Sequence, residues 1–316
     1  MSSAPPRVSV VIPVFDRLQY LREAVQSVFA QTWQDWELLI ADDGSGAQTR
    51  EYLQALGAQP RVRVVWLDHA GIPARTRNAG LRECRGEYVA FLDSDDTWED
   101  RKLQVQLATL AARPECQWSY SAFTNVDQYG RALANESLRE WKPAEGEVFE
   151  RILRGEVALR TPTVLARREL IMAAGMFDES IRSAEDYDLW LRLALRSPVA
   201  VCNEPLVSVR FHQDHHSANW AAAYVGQDWT FRKLQPMVNR RQRSLLRFER
   251  VRNSLRLAHG HAVLRQRAEV LATLAKSAGF SWLYVHWWVK SVRVLVRAWV
   301  PERMLLAYRR CRGVAA

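Results

Sequence analysis

Residues 86–96, Gly-Glu-Tyr-Val-Ala-Phe-Leu-Asp-Ser-Asp-Asp, limit the possible folds of this 316-residue chain more than any other stretch. The apolar run Tyr88–Leu92 has the length of a strand and no polar face, so it belongs inside a parallel sheet covered by helices on both sides. It runs directly into three carboxylates within four residues. Ligands of such sheets sit beyond the carboxyl ends of the strands. Three acids there repel one another unless a cation joins them, so Asp93-Ser94-Asp95-Asp96 reads as a cradle for a divalent ion that itself holds phosphates. The competing reading is a capped turn, with Asp95 or Asp96 as N-cap of a helix beginning near Trp98.

The rest of the first half repeats the strand–helix rhythm. Val8–Val14 is a β-branched first strand with Pro13 near its end. Leu18, Leu21, Val25, Val28 and Phe29 follow at helical spacing. Trp36–Ala41 reads as a second strand ending in Asp42-Asp43-Gly44-Ser45-Gly46, Arg50–Leu56 as a helix, and Arg61–Leu67 as a third strand. Ala74–Cys84 reads as a helix leading to Tyr88–Leu92. This order predicts a doubly wound α/β domain with a mostly parallel central sheet and helices on both faces. Polar signatures follow three strand ends: Phe15-Asp16-Arg17, Asp42-Asp43, and Asp93 to Asp96. Acids at several carboxyl ends of one sheet point to a shared ligand site. Neither a Gly-x-Gly-x-x-Gly nor a Gly-x-x-x-x-Gly-Lys-Ser/Thr sequence occurs, so a phosphorylated ligand must be held through metal and side chains.

The motifs Val8–Val14 with its proline, Ile40-Ala41-Asp42-Asp43-Gly44-Ser45, Arg77-Asn78-Ala79-Gly80 and Phe91-Leu92-Asp93-Ser94-Asp95-Asp96 resemble, in this order, glycosyltransferase family 2. The resemblance extends to about residue 217. It implies a GT-A fold and an inverting enzyme that uses a nucleotide-sugar donor, most simply a UDP-sugar, with Mg²⁺ or Mn²⁺. It also implies that Pro13 and Val14 line the nucleotide pocket and that Asp42 and Asp43 hold base or ribose. Asp93 and Ser94 would contact the donor, and Asp93 and Asp95 the metal. Asp68-His69-Ala70-Gly71 stands where the family often has Asn before Gly, and Arg75-Thr76 precedes Arg77, so Arg75 and Arg77 both stand as the nucleotide-facing arginine.

Residues 117–135 read as an antiparallel pair around Gln128-Tyr129-Gly130, followed by a variable stretch to about 145 of the kind that selects acceptors. Thr161–Leu165 reads as a short strand. Glu185-Asp186 opens an amphipathic helix, where acids also favour the helix dipole. The family resemblance gives this pair the catalytic role, Asp186 as base and Glu185 orienting the acceptor or the base. An acceptor hydroxyl needs such a carboxylate to take its proton. Leu206–Phe211 is read as a last strand. Arg210-Phe211-His212 is similar to an Arg-x-His of family relatives, which makes His212 a candidate metal ligand or diphosphate contact.

Charge divides the chain. Residues 237–316 hold 17 Lys and Arg against 3 Asp and Glu, a net of +14, while the whole chain is +9, leaving −5 on residues 1–236. Cys84, Cys116, Cys202 and Cys311 are too scattered for a metal knuckle and read as reduced thiols of an intracellular protein. With no leader sequence and no apolar run of about 18 residues, the chain is expected on the cytoplasmic side of the membrane. The tail reads as helical from about residue 219, interrupted near His259-Gly260. In it His286, Lys290, Arg293 and Arg297 step along one stripe of a helix otherwise rich in Trp, Val and Leu. That pattern suits the headgroup plane of an anionic membrane, while a helix packed on the catalytic domain is the alternative. Nucleic acid is not expected, because the aromatics sit among aliphatic residues.

The expected organisation is therefore a catalytic domain over 1–218, with a nucleotide half to about 97 and an acceptor half over 98–218. A helical basic tail over 219–316 follows. The expected reaction is sugar transfer to a hydroxyl of a glycan or lipid-linked acceptor in cell-surface polysaccharide synthesis. The alternatives are transfer to polyprenyl phosphate, which needs no base, and a scaffold without catalysis.

Overall fold

The computed structural model describes residues 5–133, 141, 143–157, 159–211, 220–281 and 284–300. The chain divides into two compact units, 1–218 and 219–316.

The first unit is built on one eight-stranded sheet: β1 (Val8–Val14), β2 (Trp36–Asp42), β3 (Val62–Trp66), β4 (Tyr88–Phe91), β5 (Thr97–Trp98), β6 (Trp118–Val126), β7 (Val164–Arg167) and β8 (Val199–Arg210). The order is β3-β2-β1-β4-β7-β6-β8-β5. The first four strands are parallel neighbours, β8 lies parallel to β6, and β7 and β5 pair antiparallel. The expected α/β architecture is present. β2 and β4 are buried along their whole length, as strands covered on both faces must be.

The helices of this unit are α1 (Leu18–Phe29), α2 (Ala47–Leu56), α3 (Pro73–Arg82), α4 (Lys102–Ala111), α5 (Phe149–Leu153), α6 (Arg168–Ala174) and α7 (Glu185–Ala194). α1 buries Leu21, Ala24, Val25 and Val28, one face of its helical period. They join a core that includes Val10, Ile12, Leu38, Ile40 and Leu92. In register Val14 lies beside Asp42 and Val11 beside Phe91, so the segments after β1, β2 and β4 emerge at one edge of the sheet. That shared edge positions the site.

Three local expectations change. Within the expected pair over 117–135, Trp118–Val126 forms one long strand, β6, and the described residues after it form a turn closed by a Val126–Ala132 bridge, because β7 and β8 already flank β6. Thr161–Thr163 is a 3₁₀ turn and pairing begins at Val164, since Pro162 lacks a donor. No helix starts at Trp98. α4 begins at Lys102 without a side-chain cap, so neither Asp95 nor Asp96 caps it.

The second unit contains α8 (Trp220–Leu234), α9 (Arg240–Val263), α10 (Arg267–Ser281) and α11 (Val285–Trp299). Asn239 opens α9 with a reciprocal capping box to Gln242. Leu255, Ala258 and Ala262 of α9 share a core with Val270 and Leu274 of α10 and with Trp287, Val294 and Ala298 of α11. The expected interruption at His259-Gly260 is absent, and α9 continues to Val263. Gly260 serves packing: a Cβ there would lie 2.4 Å from the Trp220 ring. The chain turns instead at Arg265, with φ +58°. The Arg265 guanidinium donates to the carbonyls of Arg297 (2.9 Å) and Val300 (2.7 Å), neutralising the carboxyl end of α11. No helix among the described residues is long and apolar enough to cross a membrane.

Candidate active site

A cleft of about 270 Å³ opens at the sheet edge where β1, β2 and β4 end. Four loops, after β1, β2, β3 and β4, and two helices build it. After β1, Asp16 and Arg17 both adopt left-handed backbone, φ +55° and +57°. Such conformations cost non-glycine residues on the order of 1 kcal/mol each. Hydrogen bonds offset that cost: the Asp16 N–H donates to Ser45 Oγ (2.8 Å), and the Gly46 N–H to Asp16 Oδ1 (2.8 Å). The loop after β1 is thereby fastened to the loop after β2, and Arg17 Nη1 reaches Asp95 Oδ2 at 2.8 Å.

The two acids after β2 separate in role. Asp42 is buried, and its carboxylate accepts from the Ser45 N–H at 3.2 Å, holding the turn; it does not line the cleft. Asp43 lines the cleft and accepts from the N–H groups of Ala70 (3.2 Å) and Gly71 (2.9 Å), while His69 Nδ1 stands 3.1 Å from it. Gly44 must be glycine: its φ is +81°, and a Cβ would come within 2.8 Å of the His69 nitrogen. His69 in turn stacks on Phe15, ring centroids 4.0 Å apart, at the mouth of the cleft.

Arg77 of α3 ties the loop after β4 to α7. Its Nη2 donates to Asp93 Oδ1 and its Nη1 to Glu185 Oε1, both at 2.7 Å. Burial opposes the charge on Arg77, yet the Asp93 and Glu185 carboxylates outweigh it and raise the pKa. The Arg77 Nε has no hydrogen-bond partner among the described residues. Burial, with Asp186 beside it, pushes the Glu185 carboxyl up against the opposing pull of Arg77. Arg75 points elsewhere, donating to the Asp68 carbonyl at 3.0 Å. Of the two arginines, Arg77 lines the cleft and Arg75 does not.

Pro13, Val14, Asp93, Ser94 and Asp95 also line the cleft. Asp96 is buried and accepts from the Arg210 N–H at 2.8 Å, fastening the end of β8 behind the motif. Burial, with Asp95 and Asp93 nearby, holds its carboxyl well above the usual carboxylate range. Arg210 itself donates through Nε to the Asp95 carbonyl at 2.9 Å and pairs with Glu23. His212 lies outside the described residues, as does most of the expected acceptor-selecting stretch, residues 134–140.

The acids of α7 also part company. Asp188 is buried against Arg192 in a pair one helical turn apart. Asp186 is partly exposed; its Oδ1 accepts from the Tyr187 N–H (2.7 Å) and its Oδ2 from the Thr161 hydroxyl (3.1 Å). Thr161 and His69 were not among the residues expected here, and Phe15 and Arg17 were expected only as part of the polar signature after the first strand. Arg17 carries a sequence signal, its place directly after the first strand; Thr161 carries none, because its partner is 25 residues away.

An acid-rich cleft at the carboxyl edge of an α/β sheet is the place where folds of this kind bind their ligands. Residues 9–172 match the description "Glycosyl transferase family 2". The chain is 33% identical over 231 residues to the "Putative teichuronic acid biosynthesis glycosyltransferase TuaG" of Bacillus subtilis, covering 71% of this chain and 86% of that one. The chain belongs to glycosyl transferase family 2. The chain spans about a third of the length of the first curated relatives it matches, glycosyltransferases from Rickettsia. In fold it is similar to Staphylococcus aureus TarS 1-349 in complex with UDP-GlcNAc (TM-score 0.61, 18% identity, 98% of this chain and 88% of that one). It is likewise similar to the Pyrobaculum calidifontis mannosyltransferase in complex with GDP-Man and Mn²⁺ (TM-score 0.60, 16% identity, 93% and 86%).

Proposed function

We propose that this protein transfers a sugar, with inversion, from a nucleoside diphosphate donor to a hydroxyl of a glycan or lipid-linked acceptor in cell-surface polysaccharide synthesis. One observation carries the reading: Arg77 joins Asp93 of the strand-end motif to Glu185 of α7 inside one cleft, with Asp186 the next residue on that helix. Donor-side and acceptor-side carboxylates are thereby held at fixed separation. The name of the TuaG relative and the nucleotide sugars in the two structural neighbours support the substrate class.

In this assignment Pro13 and Val14 form the floor of the donor site, and Asp43 with the Phe15–His69 stack bounds its outer end. Asp42 contributes through the turn it holds. Asp95 and Asp93 offer hard carboxylate oxygens of the kind Mg²⁺ and Mn²⁺ take. No group of three His, Cys, Asp or Glu able to hold a metal occurs among the described residues, so diphosphate and water would have to complete the shell of such an ion. A cationic guanidinium already rests on Asp95, from Arg17, so positive charge is favourable at that carboxylate. When bound, such an ion supplies charge neutralisation for the leaving diphosphate.

This chain's own residues do the rest. The Asp186 carboxylate accepts the acceptor's hydroxyl proton as that oxygen attacks the anomeric carbon, the bond to the nucleoside diphosphate breaks, and the configuration inverts. The Thr161 hydroxyl fixes the Asp186 carboxylate, and Glu185, held by Arg77, orients the acceptor. A base at Asp186 favours a hydroxyl acceptor over polyprenyl phosphate, which arrives ionised. The basic second unit is assigned to an anionic membrane surface on the cytoplasmic face.

Steady-state transfer assays with Mn²⁺ test the assignment. Asp186→Asn is expected to lower turnover about 10²- to 10⁴-fold while donor binding persists. Turnover equal to wild type removes Asp186 as the base.

A further inference from the structure

The second unit contains an open cavity of about 850 Å³ lined by residues of α8, α9 and α11. Its lining carries five cations, Arg252 and Arg256 from α9 and Lys290, Arg293 and Arg297 from α11, and no carboxylate. Arg252 is paired with Glu249 at 2.7 Å. The side chains of Arg256, Lys290, Arg293 and Arg297 have no ion-pair partner among the described residues. Like charges converging on one concavity repel; Arg297 in the last turn of α11 favours the helix dipole, but Lys290 and Arg293 lie before that turn and gain nothing from it. A multivalent anion relieves that repulsion, and arginine forks match phosphate oxygens in pairs. The floor of the cavity is apolar, formed by Trp220, Leu255 and Val294.

The adjoining surface specifies what the anion is attached to. α11 buries Trp287, Ser291, Val294 and Ala298. Its opposite face exposes Val285, Trp288, Val289, Val292, Val296 and Trp299, with Val285 at 78% and Val292 at 58%. An apolar face of this size, with tryptophan at both ends, has no reason to face water. It lies beside the three cations of the same helix that enter the cavity.

We infer that this cavity is a headgroup site for a phosphate-bearing amphiphile, with the phosphate among Arg256, Lys290, Arg293 and Arg297 and the hydrocarbon chain along the exposed face of α11. The inference deepens the membrane assignment above and does not depend on sugar transfer. It differs from simple surface attraction, which follows total charge and ignores headgroup shape.

The test uses the full chain and vesicles of phosphatidylcholine containing either phosphatidic acid or phosphatidylserine, matched in surface charge. Preference for phosphatidic acid is expected, at about fivefold or more, the fold-change of one additional cation contact. The double variant Arg256→Gln/Arg293→Gln, altered at two exposed side chains, is expected to lose the preference while keeping its helical circular dichroism. In solution, a short-chain alkyl phosphate is expected to raise the melting temperature, and inorganic pyrophosphate to do so much less. Equal binding to both anionic vesicles overturns the headgroup site and leaves surface attraction standing. Absence of binding to any anionic vesicle removes the membrane assignment together with the inference. Stabilisation by pyrophosphate equal to that by the alkyl phosphate makes this a free-phosphate site and overturns the amphiphile. Displacement of the alkyl phosphate by duplex oligonucleotide makes it a nucleic-acid surface, with the same consequence.

Discussion

At the scale of single residues, neighbouring acids of one type divide their roles by what satisfies them. Asp42 and Asp43 are adjacent, but Asp42 spends its carboxylate on the Ser45 N–H and Asp43 on the loop that carries His69. Among the acids of α7, Asp188 is consumed by Arg192, Glu185 by Arg77, and Asp186 keeps an exposed edge with one hydroxyl donor. A hydrogen bond to a charged group contributes about 1.5–3 kcal/mol. Thr161→Val is therefore expected to lower kcat roughly tenfold to a hundredfold by releasing the Asp186 carboxylate, with KM for the donor unchanged and Thr161→Ser restoring the rate. Unaltered kcat in the valine variant shows that Asp186 needs no orienting partner.

At the scale of elements, the strand-by-strand alternation was legible in the sequence because buried parallel strands such as β2 and β4 carry no polar face. Asp43, Asp93 and Asp95 of the cleft were legible because they follow strand ends, and Glu185 because its place at the start of a helix matches the family resemblance. What stayed hidden depended on distant pairing: Asp96 reads locally as a helix cap, and its real partner is the backbone of Arg210, 114 residues away. Gly260 reads locally as a helix breaker, and its real neighbour is Trp220. Gly260→Ala improves intrinsic helix propensity by about 1 kcal/mol, but its Cβ collides with the ring, and such overpacking costs about 1–3 kcal/mol. The variant is expected to be less stable in urea unfolding; a gain in stability contradicts the close packing.

A second element-scale prediction concerns Lys102, fully buried on α4. Its ammonium has only the Gln106 carbonyl oxygen at 2.6 Å and the Trp98 ring at 4.1 Å, neither of which is a counter-ion. Burial pushes its pKa from 10.5 down to about 7. Between those values the unfolded chain binds the additional proton, so stability rises with pH by up to about 1.4 kcal/mol per unit. Below about pH 7 both states are protonated and the burial penalty is fully present. Lys102→Met is expected to flatten this rise between pH 7 and 9 in urea titrations. Parallel wild-type and variant profiles contradict it.

At the scale of the whole molecule, an acidic α/β unit and a basic helical unit are joined in one chain, and the charge imbalance between them was visible in composition alone. The fold brings acids from two strand ends and Glu185 of α7 to one cleft, with cations from the loop after β1 and from α3 among them. The central claim is that this cleft binds a nucleotide sugar through Asp95. Thermal unfolding of the full chain against a panel of nucleotide sugars that includes UDP-GlcNAc and GDP-Man, with Mn²⁺ present, tests it most directly. At ligand about a hundredfold above Kd, stabilisation of about 2.7 kcal/mol follows from mass action. The account predicts that at least one nucleotide sugar raises Tm by several degrees, that Asp95→Asn abolishes the rise, and that Asp186→Asn retains it. No rise with any nucleotide sugar, or an undiminished rise in Asp95→Asn, contradicts it.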